Sequence, residues 1–314
     1  MIIKQADDKQ SQLLTLQSLL SHPLADSNTK KRIEQETRNI QAGIRGEEEA
    51  AYEMKVHFGA SKNWMVIHDL RIEHGDLVAQ IDHLIINRWL QIWVCESKHF
   101  AEGIAINDHG EFAAFFGNRP YGVPSPIEQN NRHIRILTRL FESGAVQLPT
   151  RLGFTIKPEL KSLILVSKRA RISRPKSKID GLEAVIKNDS LFKTIDKTVD
   201  EGSVFSMARV IGADTLESTT REIAKLHKPI KFNWLGKFGL SEPPQAAMVT
   251  PPPTSIPAKS EGQDGEDTKQ KQKLICHSCS CPIPYNVAKF CWSNKSKFSG
   301  NLFCFDCQKK VTAA

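Results

Sequence analysis

The spacing of hydrophobic positions changes several times along the chain, and each change marks a predicted element. Residues 8–58 carry a helical pattern. A short apolar stretch at 13–20 is followed by a long charged one at 26–58, with Pro23 as the break between them. On the second helix Ile44, Glu47, Ala51, Met54 and Phe58 recur at spacings of three and four, which predicts an apolar stripe with Glu47 inside it. Between Trp64 and Lys98 the pattern becomes that of short strands at 64–68, 81–86 and 92–95, expected to be adjacent and antiparallel. Ser125, Pro126 and Glu128 give a helix start with a hydroxyl cap, a first-turn proline and a glutamate three residues after the cap, and the helix should run to about Phe141. A strand at 160–166 and helices near 182–196 and 214–227 complete a mixed α/β pattern.

Composition adds bounds to that picture. With 314 residues, 40% of them hydrophobic, the chain has material for one main core and one small one. Residues 241–272 begin Pro-rich and turn polar and charged, which predicts a linker. Lys and Arg outnumber Asp and Glu by 43 to 35, which favours an anionic partner, nucleic acid or an acidic membrane surface. No amphipathic stretch favours the membrane, no run approaches the roughly 18 apolar residues of a span, and the first residues lack a cationic segment leading into an apolar one. The expectation is a cytoplasmic protein without a membrane partner. Six of the seven cysteines fall from Cys276 onward, and in a reducing compartment such crowding points to metal.

The candidate chemistry lies on the predicted strands. Side chains alternate along 92–98, so Ile92, Val94, Glu96 and Lys98 share one face. A hairpin turning around Trp89 would set Ile86 opposite Ile92 and Asp82 opposite Glu96. Two like charges so placed are accounted for by a divalent cation such as Mg²⁺, which takes one or two carboxylates and keeps its remaining positions for water and phosphate oxygens. Lys98 could then orient the attacking water and steady charge on a phosphate. A Glu-x-Lys pair alone is also what an exposed strand carries for solubility, and Glu47 alone is also what a capping or ion-paired glutamate looks like.

Taken together, Gly43-Ile44-Arg45-Gly46-Glu47, Gln80-Ile81-Asp82-His83-Leu84, Val94-Cys95-Glu96-Ser97-Lys98 and Pro126-Ile127-Glu128-Gln129-Asn130 resemble, in order and approximate spacing, the nuclease-related domain (NERD) family. The resemblance covers roughly residues 38–170. It implies a restriction-endonuclease-like mixed central sheet flanked by helices, and phosphodiester cleavage with Mg²⁺. It further implies Asp82 and Glu96 as metal ligands, Lys98 as the catalytic lysine, Glu47 as the helix carboxylate assisting metal or water, and Gln129 as the helix residue approaching the site. Ser97, where an apolar residue is common, and His99-Phe100 after Lys98 depart from the family pattern. They leave open a non-catalytic nucleic-acid-binding or adaptor protein that keeps the fold.

Cys276-x-x-Cys279 and Cys304-x-x-Cys307 are two knuckle pairs that together satisfy tetrahedral Zn²⁺. The 24 residues between the pairs exceed the spacing of a simple ribbon, and 287–292 within them can hold a helical turn. Cys281 and Cys291 are surplus. So short a segment should draw its folding free energy from the metal. Lys289, Lys295, Lys297, Lys309 and Lys310, with Phe290, Trp292, Phe298, Phe303 and Phe305, offer phosphate contacts and stacking faces, some of which must instead form the small core. Residues 276–308 resemble the small zinc fingers appended to topoisomerases, which implies DNA as the nucleic-acid partner. The expected organisation is a helical N-terminal extension (1–37), a nuclease-related domain (38–240), a linker (241–272) and a zinc-ribbon-like domain (273–314).

Overall fold

A mixed six-stranded sheet forms the centre of the larger of two units, Met1–Ala247 and Met248–Ala314. The computed structural model describes residues 1–151, 153–200, 209–241, 274–279, 281–283, 285–294, 298, 301–305 and 307–308. In chain order the elements are β1 (Ile2–Lys4), α1 (Gln10–Leu19), α2 (Ser27–Phe58), β2 (Trp64–His74), β3 (Leu77–Asn87), β4 (Gln91–Lys98), β5 (Gly103–Ile106), β6 (Phe112–Phe116), β7 (Arg119–Val123), α3 (Pro126–Glu142), β8 (Thr150–Arg151), β9 (Phe154–Thr155), β10 (Glu159–Val166), β11 (Arg171–Ser173), β12 (Val185–Lys187), α4 (Leu191–Asp200), α5 (Ala213–Lys225), α6 (Trp234–Phe238) and α7 (Tyr285–Ser293). The central sheet runs β1-β2-β3-β4-β10-β12. β2, β3 and β4 are antiparallel neighbours, as expected, while β1, β10 and β12 join in parallel.

Both faces of the sheet are covered. Leu84, Ile86, Ile92 and Val94 pack with Ile136, Leu137 and Leu140 of α3 and with Leu216 and Ile223 of α5. On the other face Val66, Ile85, Trp93, Cys95 and Leu165 pack with Ala50, Met54 and Phe58 of α2 and with Leu191 and Ile195 of α4. Trp234 and Phe238 of α6 close the end of this unit against Leu16, Leu19 and Ile33. A second sheet, β11-β5-β6-β7, follows directly from the Lys98 end of β4, and no local alternation had predicted it.

The helix starts follow the expected capping chemistry. Asp26 Oδ1 accepts from Thr29 N (2.7 Å) at the head of α2, and Ser125 Oγ from Glu128 N (3.3 Å) at the head of α3. The turn into β4 is built by Asn87, whose Oδ1 accepts from Trp89 N (3.0 Å) and Gln91 N (3.1 Å) while Leu90 takes a φ of 54° and buries its side chain.

Two expectations are corrected. The helix expected near 182–196 begins only at Leu191. Before it, β-branched Val185 and Ile186 extend the sheet as β12, because the parallel edge of β10 offers them a ladder and an apolar face. On α2, Gly46, Ala50, Met54 and Phe58 form the buried face, with Glu47 at its rim. The buried face passes through Gly46, with Ile44 and Ala51 left half-buried, where the chain after β4 comes close: a Cβ on Gly46 would lie 3.1 Å from His99 Cβ. Among the described residues no helix is long and apolar enough to cross a membrane. The expected linker, 241–272, lies outside the described residues apart from Ser241.

Candidate active site and cysteine cluster

The β3–β4 ladder pairs Ile86 with Ile92 and continues to His83 opposite Cys95. The next step in that register would join Asp82 to Glu96, and there the ladder ends. Asp82 Oδ2 instead accepts from the backbone N–H of Ser97 (2.7 Å). β2 breaks step at the same level: His68 pairs with His83 and Leu70 with Ile81, while Asp69 between them takes a φ of 52°. The apolar residues packed beneath α3 accordingly change parity on both strands, from Met65 and Ile67 to Leu70 and Ile72, and from Leu84 and Ile86 to Ala79 and Ile81. A paired irregularity of this kind re-aims side chains, and here it carries two aspartates.

Glu96, 3% exposed, faces α3. Its Oε1 accepts from Lys98 Nζ (2.6 Å) and from Gln129 Nε2 (2.7 Å), and Gln129 Oε1 in turn accepts from Lys98 Nζ (3.1 Å). Three of the residues expected at the site thus form a closed triangle of hydrogen bonds. Glu96 Oε2 is buried without a partner, 3.5 Å from the equally unpartnered Nδ1 of His133. Burial, followed by Lys98, lowers the His133 pKa to about 4, so its ring is neutral near pH 7 and supplies no counter-charge.

Glu47 approaches from α2, where both of its oxygens accept from Lys9 Nζ, at 2.7 and 2.5 Å. Burial raises the pKa of Asp82 well above the ordinary carboxylate range, with the charges of Glu96 and Glu47 adding to it. Glu47 and Glu96 are also raised, first by burial, although their lysine partners oppose the shift. The carboxylates therefore sense one another's charge. Beneath them, His68 Nδ1 and His83 Nδ1 lie 2.8 Å apart and His83 Nε2 lies 3.0 Å from Ser97 Oγ, which fixes the segment whose N–H holds Asp82. A cavity of about 630 Å³ opens beside Glu47 and is lined by Lys9, Asp69, Gln80, Lys231 and Phe232 among others.

The geometry brings Glu96, Lys98 and Gln129 into direct contact and sets Asp82 and Glu47 within electrostatic reach of them. Lys9, Asp69, the Ser97 N–H and His133 were not expected there. Only His133 had a signal in the sequence, since it lies one turn beyond Gln129 on the same helix.

The NERD family model, described as nuclease-related domain, matches residues 42–165. That segment is a nuclease-related domain. It contains Glu47, Asp82, Glu96, Lys98 and Gln129, whereas Lys9 and the cysteine cluster lie outside it. No curated protein and no solved structure matches the chain.

In the second unit the thiols of Cys276, Cys279, Cys304 and Cys307 all lie within 4.8 Å of one another. Four sulfurs at about 2.3 Å from a tetrahedral Zn²⁺ would be some 3.8 Å apart, so the cluster is compatible with zinc. Cys276 Sγ accepts from Cys304 N (3.3 Å). Burial works against its thiolate, but the N–H groups of Cys304, Cys279 and Ser278 bring its pKa down to about 6, in the direction a metal ligand needs. The surplus cysteines separate in role. Cys291 is buried and accepts from Phe303 N (3.4 Å) and Gln308 Nε2 (3.3 Å), whereas Cys281 Sγ stands 3.4 Å from Cys279 Sγ at the cluster. The expected helical insert is α7, and Ile283, Ala288, Phe298 and Phe303 form a small core around it. Phe290, Trp292 and Phe305 are exposed. Lys295, Lys297, Lys309 and Lys310 lie outside the described residues, as does the side chain of Lys289.

Proposed function

We propose that the nuclease-related domain is a Mg²⁺-dependent nuclease that hydrolyses DNA phosphodiester bonds, and that the cysteine unit binds Zn²⁺ and assists in holding the nucleic acid. The observation that carries the reading is Glu96: one oxygen is shared by Lys98 and Gln129, the other is buried without a hydrogen bond, and its charge acts on Asp82. A desolvated carboxylate oxygen left unpaired is costly, and a hard divalent cation is a partner that carboxylate oxygens suit. Asp82 and Glu96 are the residues that would hold it. A divalent cation there lowers the pKa of a bound water and neutralises charge on a phosphate.

The chain's own groups have distinct tasks in this reading. Lys98, tethered by Glu96 and Gln129, presents a fixed positive charge where negative charge develops on a phosphate, and it needs little reorganisation to do so. Gln129 positions both Glu96 and Lys98. The Ser97 N–H, backed by the His83–His68 pair, keeps Asp82 from turning away. Glu47 supports the site electrostatically from α2, with both oxygens engaged by Lys9.

The test uses the full chain with supercoiled, linear and single-stranded DNA, in Mg²⁺ and in EDTA. Cleavage should need Mg²⁺ and fall about 10²–10³-fold in Lys98→Ala, the cost usual for removing one preorganised charge-stabilising group, with the melting temperature little changed. Undiminished cleavage by Lys98→Ala would remove the enzymatic reading. DNA binding without cleavage under any divalent cation would instead place the chain among nucleic-acid-binding adaptors.

A further inference from the structure

Lys9 belongs to a segment that precedes residues 42–165, yet it ends inside the carboxylate cluster. The segment is fastened there. β1 pairs with β2, and Lys4 Nζ donates to the carbonyls of His68 (3.2 Å) and Asp69 (3.0 Å), at the level where β2 breaks step. Asp7 N donates to Asp69 Oδ2 (3.3 Å), and Asp7 Oδ2 meets His227 Nε2 at 2.9 Å. Two residues further on, Lys9 Nζ reaches both oxygens of Glu47, with the two side chains 18% and 20% exposed. The ammonium lies in the field of Asp69 and Asp82 as well.

The charge count at the site points the same way. With all four carboxylates ionised, as a bound cation would hold them, Glu47, Asp69, Asp82 and Glu96 set against the ammonium groups of Lys9 and Lys98 leave two formal negative charges, the charge of one divalent cation. Without Lys9 three would remain, and Glu47 would be a half-buried carboxylate with no counter-ion, a condition that recruits a cation or a proton. The unpartnered oxygen of Glu96 marks where the one divalent ion fits, and both Glu47 oxygens are already engaged.

We propose that Lys9 is a resident cation of this site: its ammonium fills the place at Glu47 that a second divalent ion would otherwise take, so the carboxylates hold one divalent ion and not two. The inference rests on Asp82 and Glu96 being cation ligands. A structural salt bridge would keep Glu47 paired but would not set the number of ions bound, and that number can be counted without any activity.

The experiment is a Mn²⁺ titration of the zinc-loaded full chain, followed by the electron paramagnetic resonance signal of free Mn²⁺. Wild type and Lys9→Arg should each bind one ion. Lys9→Met should bind two, and adding Glu47→Gln to it should return the count to one. Lys9→Gln, which keeps a donor for Glu47 without the charge, should also bind two and serves should Lys9→Met fail to melt cooperatively. One ion in both neutral variants, or two in wild type, overturns the inference and leaves the cation site standing. No bound ion in any of these proteins removes the cation site itself, and this inference with it.

Discussion

The carboxylate site draws Lys9, Glu47, Asp82, Glu96 and Gln129 from a loop, two helices and two strands, whereas Cys276, Cys279, Cys304 and Cys307 come from two Cys-x-x-Cys pairs close in sequence. The first set is held by a sheet packed on both faces, with Trp93, Phe58 and Met54 fully buried. The second has little apolar material of its own, chiefly Ile283, Ala288, Phe298 and Phe303. The acidic site is therefore held in place by packing of the surrounding sheet and helices. On the proposed reading of the cysteine cluster as a zinc site, so small a unit would draw its folding free energy from the metal.

The strongest way to break that comparison is to remove the metal. Chelation of zinc should unfold residues 274–308 and expose their backbone amides to hydrogen exchange, a loss on the scale of about 10 kcal/mol of binding free energy, while the larger unit keeps its melting transition. A tail that stays protected after chelation would contradict the contrast. Next in size, Met54→Ala should destabilise the larger unit by about 2–5 kcal/mol in denaturant and leave zinc content unchanged.

A smaller effect follows from pH. Burial and mutual repulsion raise the pKa of Asp82, with Glu47 and Glu96 moving in the same direction. Groups raised in this way bind more protons folded than unfolded. Their stabilising contribution is full below the unfolded value of about 4 and is lost as pH rises through the folded values. The metal-free larger unit should thus melt lower at about pH 8 than at about pH 5.5, and Mg²⁺ should restore more of the melting temperature at the higher pH. Asp82→Asn should flatten both trends; a dependence that survives it must come from elsewhere. The smallest change expected is Cys281→Ser, which leaves four thiols in place and should retain one zinc per chain by metal analysis.

What could be read from sequence was what short-range physics decides. Alternation along 81–86 and 92–98, with a hairpin turning around Trp89 between them, set the β3–β4 register to within the single step at which Asp82 leaves the ladder. Ser125 and Pro126 announced α3, and the spacing of four cysteines announced their cluster. The paired irregularity at Asp69 and Asp82 left no trace in composition, because it arises when two strands break step together. Lys9 was hidden for a related reason. Its partner Glu47 lies 38 positions away, and only the docking of β1 brings them together. The strands of the second sheet are three to five residues long and too short to show a period.

The order of the central sheet bears on any attempt to isolate the matched segment. Its outer strands, β1 and β12, both fall outside residues 42–165, while β2 and β10, which they flank, fall within or nearly within it. A protein trimmed to those limits would present two long apolar strands with bare N–H and C=O groups, open to pairing with other copies. Such a fragment should self-associate and precipitate, although every one of the five expected site residues would still be present in it.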